Sequence, residues 1–127
     1  MLEIAYYTVT GQTRRFIKKT GYTDAYEIND ADPYHEMGQP FILIVPAYDD
    51  NMMDGVVDFL AYKSNRTNLV GIVGTGNRNF NELYIHTAKD LAQGFKVPIL
   101  YDFEFNGTPQ DVAKVKEIVT NYEFKTN

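Results

Sequence analysis

A chain of 127 residues, 44% hydrophobic and 23% charged, carries enough apolar material for one core and is globular rather than disordered. Its 17 acidic residues outweigh 12 basic ones to leave a net charge of -5, which argues against nucleic acid and anionic membrane as partners. No cysteine is present, so disulfides, thiol catalysis, thiolate metal sites and iron–sulfur clusters are excluded. The first residues lack the basic start and apolar stretch of a signal peptide. The most apolar run, residues 41–48, is far short of the roughly 20 that span a bilayer. The expectation is a cytoplasmic protein without an anchor.

In chain order, residues 2–7 are apolar and aromatic and predict a buried strand. A Thr/Gly-rich turn follows, then a helix over 13–20 with Phe16 and Ile17 inward and Gly21 at its C-terminal end. Residues 25–28 predict a short strand, and 29–39, with Pro33 and Gly38, a surface loop. Phe41 to Val45 is an unbroken apolar run, as a central parallel strand requires. Met53, Val56, Val57, Leu60 and Ala61 recur at helical spacing over 53–62. Residues 69–74 predict another strand. A second long helix is expected over 82–95, with Leu83, Ile85, Ala88, Leu91, Ala92 and Phe95 as its stripe. A fifth strand is expected over 98–103. Thr108 caps a last helix, with Pro109 in its first turn and Val112, Val115, Ile118 and Val119 inward, and the tail after Tyr122 is expected to fray.

The order β-α-β-β-α-β-α-β-α predicts one α/β domain over residues 1–127, with a parallel sheet covered on both faces. Ligands of such sheets bind beyond the carboxyl ends of the strands. In the first loop there, Thr8-Val9-Thr10-Gly11-Gln12-Thr13, three hydroxyls and a glycine cross from a strand into a helix N-terminus. Hydroxyls, free amides and the helix dipole suit an anion. The loop has no Lys or Arg, so a monophosphate held by neutral donors fits better than a triphosphate. A threonine-rich cap without ligand is the alternative. The loop after the fourth strand, Gly74-Thr75-Gly76-Asn77-Arg78-Asn79-Phe80-Asn81, offers backbone and amide groups to the edge of a heterocycle and Phe80 to its face. Arg78 has no evident core role and is free to face a partner or the ring edge. The alternative is a polar loop with Phe80 tucked into the core.

The first loop resembles the flavodoxin phosphate signature Thr/Ser-x-Thr-Gly-x-Thr. Gly76-Asn77-Arg78-Asn79-Phe80 resembles the Gly-Asn-Arg-Asn-(Trp/Phe) motif of the NrdI family, small flavodoxin-like proteins of class Ib ribonucleotide reductase. Residues 13–17, 40–46, 58–60, 97–99 and 103–108 are similar to that family too, so the likeness runs along nearly the whole chain. The resemblance implies a flavodoxin-like three-layer sandwich with a five-stranded parallel sheet in the order 2-1-3-4-5, and FMN as cofactor. It implies a protein that, when reduced, turns oxygen into superoxide or peroxide and delivers it to the radical-bearing small subunit, where a metal/tyrosyl-radical cofactor is assembled. A reductase would supply the electrons. By position, Thr8, Val9, Thr10, Gly11, Gln12 and Thr13 would hold the phosphate. Phe80 would stack on the ring, Thr75, Gly76, Asn77 and Asn79 would line it, and Ala47, Tyr48, Asp49 and Asp50 would pass its other side, Tyr48 over the opposite face.

The loop after the third strand departs from the family. Many members are glycine-rich there, which lets a peptide flip beside the flavin. Here it reads Ala47-Tyr48-Asp49-Asp50-Asn51-Met52, and Gly55 falls already in the next helix. Asn and Asp tolerate positive φ best after glycine, so a flip is hindered and not forbidden. One carboxylate about 7 Å from a reduced, anionic ring, at an effective dielectric of about 20, costs roughly 2.4 kcal/mol. That is on the order of 100 mV per electron. The alternative is an ordinary acidic helix N-terminus. A phospho-acceptor or metal pair is set aside because such sites need acids after the first strand, where threonines stand. His35 and His86 read as surface or satisfied histidines, and Ser64 has no base pattern around it. A general electron-carrying flavodoxin and a flavin-free interaction protein of the same fold are the competing readings.

Overall fold

The computed structural model describes residues 2–48 and 53–126. β1 (Glu3–Tyr6), β2 (Tyr26–Glu27), β3 (Phe41–Pro46), β4 (Leu69–Gly76) and β5 (Ile99–Glu104) form one parallel sheet in the order β2-β1-β3-β4-β5. Both the parallel sheet and its order agree with the expectation. The helices are α1 (Gln12–Thr20), α2 (Asp54–Ala61), α3 (Asn65–Asn68), α4 (His86–Phe95) and α5 (Pro109–Thr126).

The two faces of the sheet explain the unbroken apolar strands. Successive strand residues point to opposite sides. Ile4, Ile42, Ile44, Val73 and Phe103 meet Phe16 and Ile17 of α1 and Val115 and Val119 of α5. Ala5, Leu43, Val45 and Ile72 meet Val56, Phe59 and Leu60 of α2 and Ile85, Ala88 and Leu91 of α4. Both faces are covered, so polar alternation has nowhere to appear. Phe16 stacks on Phe103 with centroids 4.2 Å apart, which joins α1 to β5.

Between β2 and β3 a loop stands where a crossover helix is usual. A surface loop is the expectation for 29–39, yet Pro33 and Met37 within it are buried. The fully buried Asn65 explains this: its amide donates to the carbonyls of His35 (2.7 Å) and Phe59 (2.8 Å) and accepts the Met37 N–H (2.8 Å). One side chain thus replaces the hydrogen bonds that a helix would have supplied.

The elements differ from the sequence reading in several details. β4 runs through Thr75 and Gly76, because β5 pairs with it that far. α2 turns Phe59 inward and leaves Val57 41% exposed. The helix expected over 82–95 begins only at His86, preceded by a 310 segment (Arg78–Leu83), and Leu83 is 58% exposed. The chain cannot pass straight from β4 into a helix there. Asn81 takes φ 52 and ψ -113, which breaks the turn, and the Tyr84 carbonyl packs directly over Gly76.

Candidate functional site

The carboxyl ends of β1, β3, β4 and β5 open onto one cleft. β1 leads into Thr8, Val9, Thr10, Gln12 and Thr13; β3 into Ala47 and Tyr48; β4 into Asn77 and Phe80, with Thr75 and Gly76 at the strand end itself. These predicted residues line the cleft together, and Pro46 and Phe105 join them. Gly11 and Asn79 belong to the same loops but do not line the cleft themselves. Asp49 and Asp50 lie outside the described residues.

The first loop is built by Gly11, whose φ of 89 is open to glycine and strained for other residues. Its N–H donates to the Thr8 hydroxyl at 3.0 Å, so the loop closes on itself and delivers the chain into α1. No side chain caps α1. The amides of a helix's first turn have no partner within the helix. Thr13, only 1% exposed, has a hydroxyl with no hydrogen-bond partner, and so does the buried Oε1 of Gln12. A buried hydroxyl left unsatisfied costs about 1–3 kcal/mol. A side-chain amide reverses its oxygen and nitrogen by a half-turn. Helix amides, the Thr13 hydroxyl and a turned Gln12 amide therefore make a neutral donor set that fits a phosphate monoester. The cation nearest in sequence is committed elsewhere: Arg14 makes a bidentate pair with Glu27, at 2.8 Å for each nitrogen.

The second loop is fastened as it leaves β3. Ala47 N–H donates to the Thr75 carbonyl at 2.8 Å. Tyr48 N–H donates to the Thr87 hydroxyl at 3.0 Å, and that hydroxyl donates back to the Tyr48 carbonyl at 3.1 Å. Farther on, the glycine that reads as part of the next helix has a packing reason: a Cβ on Gly55 would lie 2.3 Å from Asp30 Oδ1. Burial first, and the hydrogen bond to Asp30 second, push the Tyr7 hydroxyl up to about 12.

The third loop is rigid for reasons of its own. Asn77 accepts the Asn79 N–H at 2.9 Å, closing an Asx turn that leaves Phe80 63% exposed on the rim and out of the core. Arg78 is not free, as the sequence suggested. Its N–H and guanidinium both bind Glu104, at 3.1 and 2.8 Å; a second guanidinium nitrogen reaches Asp102 at 3.4 Å, and the group lies over the Tyr84 ring. The Arg78 amide, and then its guanidinium, hold the Glu104 carboxyl below the usual carboxylate range. Phe105, at φ 54, donates its N–H to the Gly76 carbonyl at 3.1 Å and stands 49% exposed in the cleft lining. The sequence reading missed Phe105 although its signal was present, since β5 also ends at the carboxyl edge.

The family described as NrdI flavodoxin-like matches residues 4–117. The NrdI protein of Bartonella tribocorum is 36% identical over 121 residues, covering 91% of each chain. That of Rhizobium leguminosarum bv. trifolii is 38% identical over 89% of each. That of Escherichia coli O127:H6 is 34% identical over 96% of this chain and 94% of its own. Among solved structures, a flavodoxin from Streptococcus pneumoniae TIGR4 superposes with a TM-score of 0.65 over 98% of each chain at 16% identity, a likeness of fold.

Proposed function

The chain belongs to the NrdI flavodoxin-like family, and from that premise we propose that residues 1–127 form one domain holding a single FMN in the cleft at the carboxyl edge of the sheet. The observation that carries the reading is the buried, unpartnered hydroxyl of Thr13 beneath the uncapped start of α1. In this reading Thr8, Val9, Thr10, Gly11, Gln12 and Thr13 bind the phosphate. Phe80 offers a ring face, Thr75, Gly76, Asn77 and Asn79 line the ring edge, and Ala47, Tyr48, Asp49 and Asp50 flank the other side.

FMN, when bound, supplies the redox chemistry, passing electrons from a reductase to oxygen. The chain's own residues anchor the phosphate with neutral donors, hold the ring against Phe80, and leave an apolar rim at Phe80 and Phe105. Such a rim suits a protein partner that must dock close to the ring. In the family context that partner is the small, radical-bearing subunit of class Ib ribonucleotide reductase, to which the superoxide or peroxide is delivered. Among the described residues no helix is long and apolar enough to cross a membrane.

The test is a visible spectrum of the purified protein, then anaerobic reduction and readmission of oxygen. Flavin bands that bleach stoichiometrically and return with oxygen support the reading, as does radical formation in the small subunit only when the reduced protein is present. Flavin bands without small-subunit activation leave a general electron carrier. A colourless protein that fails to quench added FMN fluorescence overturns both and leaves an interaction protein.

A further inference from the structure

The loop after β5 holds Phe105 at φ 54, in the left-handed region that a bulky side chain rarely occupies. Such a conformation is strained and persists only where its surroundings fix it. Here they do. The Phe105 N–H donates to the Gly76 carbonyl at 3.1 Å, and the Gly107 N–H donates to the Glu104 carbonyl at 2.9 Å. Lys19 reaches the loop from the last turn of α1, 87 residues before Asn106. Its Nζ donates to the Asn106 carbonyl at 3.1 Å, to Asn106 Oδ1 at 2.6 Å and to the Gly107 carbonyl at 3.0 Å. These three acceptors match the three N–H groups of an ammonium. Gly107 lies so close to Phe16 that a Cβ there would meet the ring at 2.6 Å.

The fold gains little from a phenyl ring held in this way. Phe105 is 49% exposed, and glycine or asparagine would make the same turn more easily. It lines the cleft together with Gly76 and Asn77, whereas Lys19, Asn106 and Gly107 do not. We propose that the loop after β5 is a further wall of the cleft, in which Phe105 packs on the flavin and Lys19 is the positioning residue that holds it there. A phenyl ring has no donor for a phosphate, so its contact is with the apolar part of the ligand. Lys19 touches the loop and not the cleft, so it acts on the ligand only through Phe105.

The inference rests on the reading that the cleft takes FMN. Its first test measures the affinity for FMN and for riboflavin, which lacks the phosphate, by fluorescence quenching. The proteins compared are wild type, Phe105→Asn and Phe105→Tyr, with urea unfolding of each in the unliganded form. Asparagine tolerates positive φ, so F105N keeps the turn and removes the ring. It should bind both flavins roughly 3- to 10-fold more weakly, the usual effect of an aromatic contact, with a urea midpoint equal to or above that of wild type. F105Y keeps the ring and should bind within about twofold of wild type. Undiminished affinity in F105N, or a loss for FMN that riboflavin does not share, overturns the contact while FMN binding stands. A lower urea midpoint shows a side chain kept for the fold and overturns it too. A wild-type protein that binds neither flavin overturns the FMN reading, and the contact falls with it.

The second test concerns Lys19. Lys19→Met keeps the aliphatic stem and removes the ammonium. In unliganded K19M the amides of Phe105 and Gly107 should exchange with solvent roughly tenfold faster or more, while those of β3 keep their wild-type rates. K19M should also weaken both flavins in the wild-type background and have no further effect in F105N, the non-additivity expected of a residue that acts through another. Unaltered exchange at Phe105 and Gly107, or the same loss of affinity in both backgrounds, overturns the positioning role. The exchange rates need no flavin, so they decide on the tether even where the FMN reading fails.

Discussion

Thr13→Val separates a hydroxyl kept for a ligand from one kept for the fold. The side chain is 1% exposed, its hydroxyl has no partner, and valine reproduces its shape. In the free protein an unsatisfied buried hydroxyl costs about 1–3 kcal/mol. Replacing it with a methyl group should therefore leave the unliganded protein unchanged or stabilise it by up to about that amount. With FMN present the sign reverses. A hydrogen bond to a charged group contributes about 1.5–3 kcal/mol. At 1.4 kcal/mol per tenfold, its loss weakens the affinity roughly 10- to 150-fold. The assay pairs urea unfolding of the unliganded protein with FMN fluorescence quenching at constant pH. If T13V unfolds more easily by over about 1 kcal/mol while its FMN affinity is unchanged, the hydroxyl serves the fold and the phosphate assignment fails.

Gly76→Ala would place a Cβ 1.7 Å from the Tyr84 carbonyl oxygen, backbone that cannot turn aside. A loss of about 1–3 kcal/mol in urea unfolding is expected, with weaker FMN binding because the strain falls on the loop carrying Phe80; wild-type behaviour on both counts would refute the packing argument. Phe16→Ala, at a fully buried ring stacked on Phe103, should cost about 3–5 kcal/mol with an unchanged denaturant slope, and a loss under about 1 kcal/mol would show that the α1–β5 seam contributes little. Glu104 has its pKa depressed by Arg78, so its tether is intact above the ordinary carboxylate value of about 4.3 and is lost as pH falls through its lower folded value. Amide exchange at Arg78 should accelerate over that acidic range in the wild type and be pH-insensitive there, after correction for intrinsic rates, in Glu104→Gln. Tyr7, raised to about 12 by burial and then Asp30, contributes stability that is present below about pH 10 and lost as pH rises toward 12; Tyr7→Phe should flatten the alkaline limb of the unfolding curve.

How much of this was legible in the residues depends on how far apart they act. Strand–helix alternation, two-sided burial of Ile42, Leu43, Ile44 and Val45, and the hydroxyl-rich turn into α1 are local patterns, and local sterics and periodicity suffice to read them. The sequence also placed the candidate loops at strand ends, because parallel α/β connections leave few topologies. The tertiary structure decided what depends on pairs distant in the chain. Arg78 meets Glu104, 26 residues on, and so belongs to a clamp. Leu83 turns to solvent because the Tyr84 carbonyl must pass over Gly76, which delays α4 to His86 although the apolar stripe runs on toward its start. Asn65 stands in for a missing crossover helix, and His86 finds two acceptors on separate segments. Periodicity reports which side of one element is apolar. Hydrogen bonds and close backbone contacts between elements depend on where the folded sheet brings their ends together, and no window along the chain holds both partners.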